Sequence, residues 1–186
     1  DSAVTSTLCA QTGLNIIVVS LPIHQQTSEL KRARNHIEWL KNKYKNVSSI
    51  EINLTHVFDS FEMLFADNPN KLALSNSRAR LRMTTLYQIA QTNKGLVVGT
   101  GNKVEDFGVG FFTKYGDGGV DISPIGDLLK SDVTTLAIEL QINKEIVDAP
   151  PTDGLWGDDR TDEDQLGATY DELEWAMGYR QYGKHI

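Results

Sequence analysis

Residues 15–21 read NIIVVSL, a nearly continuous apolar run of strand length, rich in β-branched side chains. Such a run suits a strand covered on both faces, as in a parallel sheet, rather than one with a solvated side. Working outward, Leu30, Ala33, Ile37, Leu40 and Tyr44 recur at helical spacing behind Ser28, a plausible N-cap, and 49–54 alternates like a second strand. Strand, helix, strand is a βαβ unit, so the two strands are expected to pair in parallel.

The same alternation continues along the chain. Val57, Phe58, Phe61, Met63, Leu64 and Phe65 predict a helix over 57–65, ended by the turn Asp67-Asn68-Pro69-Asn70, where proline blocks continuation. A long helix over 75–92, a short buried strand over 96–100 and a helix over 131–140 follow. Thr169 and Glu172 form a capping box that opens the last helix. Strands alternating with helices imply an α/β fold, a doubly wound parallel sheet with helices on both faces and ligands at the carboxyl ends of its strands. Residues 149–165 (APPTDGLWGDDRTDEDQ) form a long acidic connection with Trp156 at its centre, and its run 158–164 reads as solvated surface.

Composition narrows the function. The 186 residues carry 25 Asp and Glu against 18 Lys and Arg, a formal charge of -7, with 40% hydrophobic content. These values describe a soluble globular domain and argue against nucleic acid as partner, while Arg78, Arg80 and Arg82 can still meet a small anion. Of the three, Arg78 reads as part of a solvated helix face. No apolar run is long enough to cross a bilayer, so no membrane role is expected. Cys9 is the only cysteine. It permits no intrachain disulfide and no thiolate zinc cluster, fits a cytoplasmic location, and reads as a small apolar residue on a helix. His24, His36, His56 and His185 are scattered without ligand spacing and are expected at the surface or at helix ends.

Residues 99–121, GTGNKVEDFGVGFFTKYGDGGVD, concentrate the chemistry. Glycines at the end of an apolar run let backbone amides approach an anion, and Glu105 lies close in sequence to Lys103 and Lys114, as metal-assisted nucleotide chemistry requires. Two common fingerprints fail. A dinucleotide loop beginning Gly99-Thr100-Gly101 needs glycine at 104, where Val104 stands, and no stretch fits a Walker A loop. A third class of ATP site is therefore indicated. The chain opens Asp1-Ser2-Ala3-Val4-Thr5, which leads into Leu8 and a helix-like segment. With a glycine-rich turn ahead of Asp1, a helix start at Ser2 would cradle phosphate through its free amides, with Asp1 positioned to hold a metal.

With those residues in view, the chain resembles the ammonia-dependent NAD synthetases, N-type ATP pyrophosphatases whose loop reads Ser-Gly-Gly-x-Asp-Ser. The resemblance runs over nearly the whole chain. Of the loop only the final Asp-Ser is present, as Asp1-Ser2, and the resemblance is otherwise strongest at 76–83 (NSRARLRM), 99–106 (GTGNKVED), 113–121 (TKYGDGGVD) and 161–173 (TDEDQLGATYDEL). It implies a single Rossmann-like domain of the adenine nucleotide α-hydrolase type over 1–186, truncated at both ends. The Ser-Gly-Gly half of the loop is absent, as is a final His-Lys pair; Lys184-His185 has the reverse order and takes no role from it.

The resemblance also implies an activity: a ligase, homodimeric, that activates the carboxylate of deamido-NAD with ATP as an adenylate, then aminates it with ammonia to give NAD. Asp1 and Glu105 match ligands of Mg²⁺. Asp1, Ser2, Thr100, Lys130 and Thr152 match ATP contacts. Asn76, Arg80, Lys114 and Asp121 match residues that hold deamido-NAD. Lys114 and Asp117 are the candidate catalytic residues, with Asp117 proposed to orient ammonia or take a proton from ammonium. Read without the resemblance, Glu105 is equally a helix-start carboxylate, Asp1 a terminus, Lys130 a solvated cation, and Asp117 a turn residue before glycine. Another amidating ATP pyrophosphatase of GMP synthetase type, or a noncatalytic nucleotide-binding module, are the alternatives.

Overall fold

The computed structural model describes residues 1–152 and 161–182. Trp156, residues 158–160 of the acidic run and Lys184-His185 lie outside the described residues. Helix α1 (Ser2–Gln11) leads into strand β1 (Ile16–Ser20), helix α2 (Thr27–Lys43) and strand β2 (Val47–Glu51). The two strands pair in parallel from Ile16 against Val47 to Ser20 against Glu51, so the βαβ unit expected from 15–54 is present. Every residue of β1 is half-buried, as its unbroken apolar run requires. β2 lies two to three residues earlier than its alternation suggested, and three of its five residues are exposed. At the end of β2, Glu51 accepts hydrogen bonds from the Arg34 guanidinium of α2, including one from Nε at 2.9 Å.

Side chains two apart on β1, Ile16 and Val18, pack with Ala10 of α1, Leu40 and Trp39 of α2, and Val47. The opposite end of α1 supplies Ala3 and Val4 to a second cluster with Ile125, Val133, Ala137 and Ile142. α1 therefore bridges the sheet and helix α5 (Lys130–Glu139). A third cluster joins Ile23, just past β1, to Leu54, Phe58 and Leu74. Burying Phe58, Ile23 and Leu40 completely contributes about 1.5 to 3 kcal/mol for each side chain.

Several boundaries differ from the expectation. Ser28 lies inside α2, whose N-cap is Gln26 without a side-chain cap, so the Ser28 cap is not formed. The helix expected over 57–65 divides into α3 (Thr55–Glu62) and a 3₁₀ turn (Met63–Phe65). α4 (Lys71–Thr92) starts four residues before 75, because the Asn70 side chain accepts from Ala73 N–H at 3.0 Å and caps it there. The strand expected over 96–100 is reduced to one parallel bridge between Val98 and Ile122. Leu96 is exposed, so that segment lacks the two-sided burial a central strand needs. Val104–Val109 form a π-turn, and short helices α6 (Lys144–Val147) and α7 (Asp162–Leu166) precede α8 (Tyr170–Tyr182). The Thr169 capping box is present: Thr169 N–H donates to Glu172 at 2.9 Å and Glu172 N–H donates to Thr169 Oγ1 at 3.3 Å. Within the acidic run, Asp162 is buried rather than solvated, its N–H donating to the Pro151 carbonyl. No helix among the described residues is long and apolar enough to cross a membrane.

Cys9 lies half-buried on α1, as expected. Two surface assignments are overturned. Arg78 is not a solvated side chain: its guanidinium lies 4.7 Å from the Phe58 ring centre. His36 is buried between α1 and α2, stacked on Trp39, with Nε2 3.0 Å from Ser6 Oγ and Nδ1 lacking a hydrogen-bond partner. Burial holds its imidazole below the ordinary value of 6.5. The unfolded chain thus takes up a proton at this position before the folded one does. Stability is unaffected well above pH 6.5 and falls as the pH drops from there toward the lowered folded value, by at most about 1.4 kcal/mol per pH unit. Thermal melts of wild type and His36→Gln between pH 5 and 7.5 check this. The variant should lose a share of the acid slope, and an unchanged slope would clear His36 of responsibility.

Candidate active site

A cavity of about 780 Å³ opens where the parallel strands end and α1 begins. Its wall includes Leu21, Pro22 and Gln25 after β1, Asp1 to Val4 of α1, Thr100 and Gly101 after the Val98 bridge, and the 149–152 segment. This is the crevice at the carboxyl ends of parallel strands where α/β folds bind ligands, with a helix N-terminus aimed into it.

Three charged groups meet at its edge. Lys130 Nζ donates to Asp1 Oδ2 at 2.7 Å and to Glu105 Oε1 at 2.9 Å. All three side chains are less than one-fifth exposed. Tyr170 OH donates to the same Glu105 oxygen at 2.6 Å, and the Lys130 ammonium lies 5.0 Å from the Tyr170 ring centre. Asn102, fully buried, anchors the group: its Oδ1 accepts from Val104 and Glu105 N–H at 3.0 and 3.1 Å, and its amide donates to Asp1 at 3.3 Å. Burial pushes the Glu105 carboxyl upward, but Lys130 and the hydrogen bonds from Tyr170, Lys130 and Asn102 outweigh it, leaving the group ionised below its ordinary value. Burial, then the bond to Glu105, pushes the Tyr170 phenol up, so it remains a donor.

The cavity is acidic. Among the described residues, seven carboxylate side chains and three cationic ones line it. Asp106 shows the effect: burial and the nearby charges of Glu105 and Asp117 push its carboxyl up. A polyanion entering this space needs cations beyond those the protein supplies. Asp1 Oδ1 is buried and accepts no hydrogen bond, an oxygen suited to a hard cation. No group of three or more His, Cys, Asp or Glu able to hold a metal occurs among the described residues.

The residues singled out from the sequence fall into two groups. Asp1, Ser2, Thr100, Glu105, Asp117, Lys130 and Thr152 all line the cavity. Lys130 is the first residue of α5 rather than a residue before it. Asn76, Arg80, Lys114 and Asp121 do not line it. They gather where α4 meets the 113–121 segment. Asn76 Oδ1 accepts from Thr113 Oγ1 at 2.7 Å, Arg80 Nε donates to the Lys114 carbonyl at 3.2 Å, and Tyr87 OH donates to Asp121 at 3.1 Å. Positions 76, 80 and 87 form one stripe of α4. The contact is close because a side chain at Gly116 would bring its Cβ within 2.9 Å of Ala79 Cβ and the Thr113 side chain. Asp117 does turn work, accepting from Thr113 N–H at 3.0 Å, while facing the cavity. Asp121 is likewise occupied in part, accepting from Val97 N–H at 2.7 Å.

Sequence reasoning assigned no site role to Asn102 or Tyr170, and to the cavity-facing Arg82 only a general capacity to meet a small anion. All three fall within motifs that carry the family resemblance, 76–83, 99–106 and 161–173, which was the available signal. Arg82 reaches back from α4 to the loop after β1, donating to the Leu21 carbonyl at 3.0 Å and to Gln25 at 3.2 Å.

An α/β chain with a helix N-terminus and a carboxylate–lysine–carboxylate cluster at its strand ends has the architecture of a nucleotide-dependent enzyme of the Rossmann-like class. Residues 1–185 match the NAD synthase family, and the chain belongs to it. It is 39% identical over 178 residues to an NH(3)-dependent NAD(+) synthetase from Mesoplasma florum, covering 94% of this chain and 70% of that protein. It is 34% identical to the solved NMN synthetase from Francisella tularensis, at a TM-score of 0.87 over 99% of this chain and 73% of that one. The NH3-dependent NAD synthetase from Campylobacter jejuni, 24% identical with a TM-score of 0.73 over 97% of this chain and 71% of that one, shares the fold.

Proposed function

We propose that this chain catalyses ATP-dependent amidation of deamido-NAD to NAD, releasing AMP and pyrophosphate, with ammonia as nitrogen donor. The observation that carries the reading is Lys130 held between Asp1 and Glu105 at the N-terminus of α1, in a member of the NAD synthase family. The α1 amides with Ser2, Thr100, Thr152 and Lys130 hold the phosphates of ATP. Lys130 offsets the charge that builds up as the nicotinate carboxylate attacks the α-phosphorus and pyrophosphate departs.

Asp1 and Glu105 would hold Mg²⁺, and the unpartnered Asp1 Oδ1 and the acidity of the cavity both support this. When bound, Mg²⁺ neutralises phosphate charge and favours pyrophosphate departure. On the other side of the 113–117 turn, Asn76, Arg80, Lys114 and Asp121 would hold deamido-NAD. Asp117 would take the proton that ammonium must lose before its nitrogen can attack, and its position in that turn, facing the cavity, supports this. A homodimeric, cytoplasmic enzyme completes the proposal, on the family resemblance.

The likeness to the NMN synthetase favours one second reading, in which the acceptor is the mononucleotide carboxylate and the chemistry is unchanged. Incubation with ATP, Mg²⁺, ammonium and either acceptor, followed by measurement of the amide product, AMP and pyrophosphate, separates these. ADP and phosphate as products would sink the adenylate mechanism, and nucleotide binding without turnover would mark a noncatalytic module.

A further inference from the structure

Beyond Tyr170, α8 also touches the two segments that carry Lys130 and Glu105. One helical turn on, Glu174 accepts from Ser131 N–H at 2.9 Å through one carboxylate oxygen and from Ser131 Oγ at 2.6 Å through the other. Ser131 is the second residue of α5 and Lys130 the first. Lys130 therefore places a cation at the positive end of a helix dipole, where a cation is disfavoured. Glu174 sets an anion over that same turn and binds one of its free amides, which offsets the penalty and fixes the turn. Three residues further along, Met177 closes on Gly108 of the π-turn that carries Glu105; a Cβ at Gly108 would lie 2.6 Å from Met177 Sδ. Positions 170, 174 and 177 form one stripe of α8, and that stripe holds both segments from which Glu105 and Lys130 project.

We propose that Glu174 is a positioning residue of the nucleotide site, acting through Ser131 to set where the Lys130 ammonium stands between Asp1 and Glu105. The inference rests on the reading of this cluster as an ATP site. Truncation at Glu174 leaves the Lys130 charge intact and loosens its placement, so ATP affinity falls while the acceptor group on α4 and the 113–121 segment is untouched.

The test is calorimetric titration of the full chain with Mg·ATP and no acceptor present, beside steady-state KM values for both substrates. For Glu174→Ala the ATP dissociation constant and KM should rise about tenfold, equivalent to about 1.4 kcal/mol, with the KM for deamido-NAD unchanged. Glu174→Gln should recover most of the affinity, because its amide oxygen still accepts from Ser131 N–H. Wild-type ATP affinity in Glu174→Ala overturns the proposal, as does an equal rise in both KM values. If Glu174→Ala does not fold, Ser131→Ala decides: it removes only the hydroxyl bond and should weaken ATP severalfold, and unchanged affinity overturns the proposal. A wild-type chain that binds Mg·ATP without forming an amide product overturns the amidation reading and leaves the variant comparison decisive. A wild-type chain that does not bind ATP overturns the positioning role.

Discussion

Lys130→Met should lower the rate of pyrophosphate release by about 100- to 1,000-fold, the range for removing one well-placed electrostatic stabiliser from a transition state. The methionine side chain fills a similar volume, so the change is chiefly one of charge. It leaves Asp1 and Glu105, each less than one-fifth exposed, facing one another without the ammonium that donates to both. Two carboxylates in that position repel, and one of them gains affinity for a proton, so the cluster loses charge compensation in the resting protein as well. Some loss of stability therefore accompanies the loss of rate. Measuring pyrophosphate in a single turnover, with a thermal melt of the same preparation, separates the two. Lys130→Arg should recover stability better than rate, because the guanidinium restores the charge but not the compact point donor that the 2.7 and 2.9 Å contacts require. A Lys130→Met variant that keeps most of the wild-type rate would remove Lys130 from the reaction.

Glu105→Gln is the second large effect. The amide keeps the shape and can still accept from Lys130 and Tyr170, so the π-turn and α8 should stay in place. What it loses is one of two anionic oxygen donors proposed for Mg²⁺. The Mg²⁺ concentration giving half-maximal adenylation should rise at least about 10- to 100-fold, since even outer-shell changes at metal sites have effects of that size. The rate at saturating metal should fall less. Titrating Mg²⁺ against pyrophosphate release for wild type and variant gives the answer directly. An unchanged metal dependence would falsify the assignment of Glu105 and leave it as a partner of Lys130 and Tyr170.

The two predictions differ in how far the sequence foretold them. Glu105 was legible through its match to a family ligand of Mg²⁺, since the residues alone leave a helix-start carboxylate equally open. Lys130 was legible through its match to a family ATP contact, since taken alone it reads as a solvated cation. Neither argument indicated that the anions would be Asp1 and Glu105, 129 and 25 residues away. The separation of the proposed site residues into a cavity group and an α4 group was likewise invisible. It depends on which side of the 113–117 turn each side chain emerges, and on the close approach of Gly116 to Ala79.

The sequence by itself determined the βαβ start, since an unbroken β-branched run followed by helical spacing leaves few other arrangements. It also determined the family, because four separated motifs constrain far more than one glycine loop does. Local patterns of this kind depend on neighbours within a turn or two, and those are read in order along the chain. Only the tertiary structure decided that the strand expected over 96–100 is a single bridge, that His36 is buried, and that α8 meets Glu105 through Tyr170 and Ser131 through Glu174. Those outcomes depend on burial and charge pairing between segments far apart in sequence. Coulomb and packing energies are set by distance in space, which the order of residues does not record.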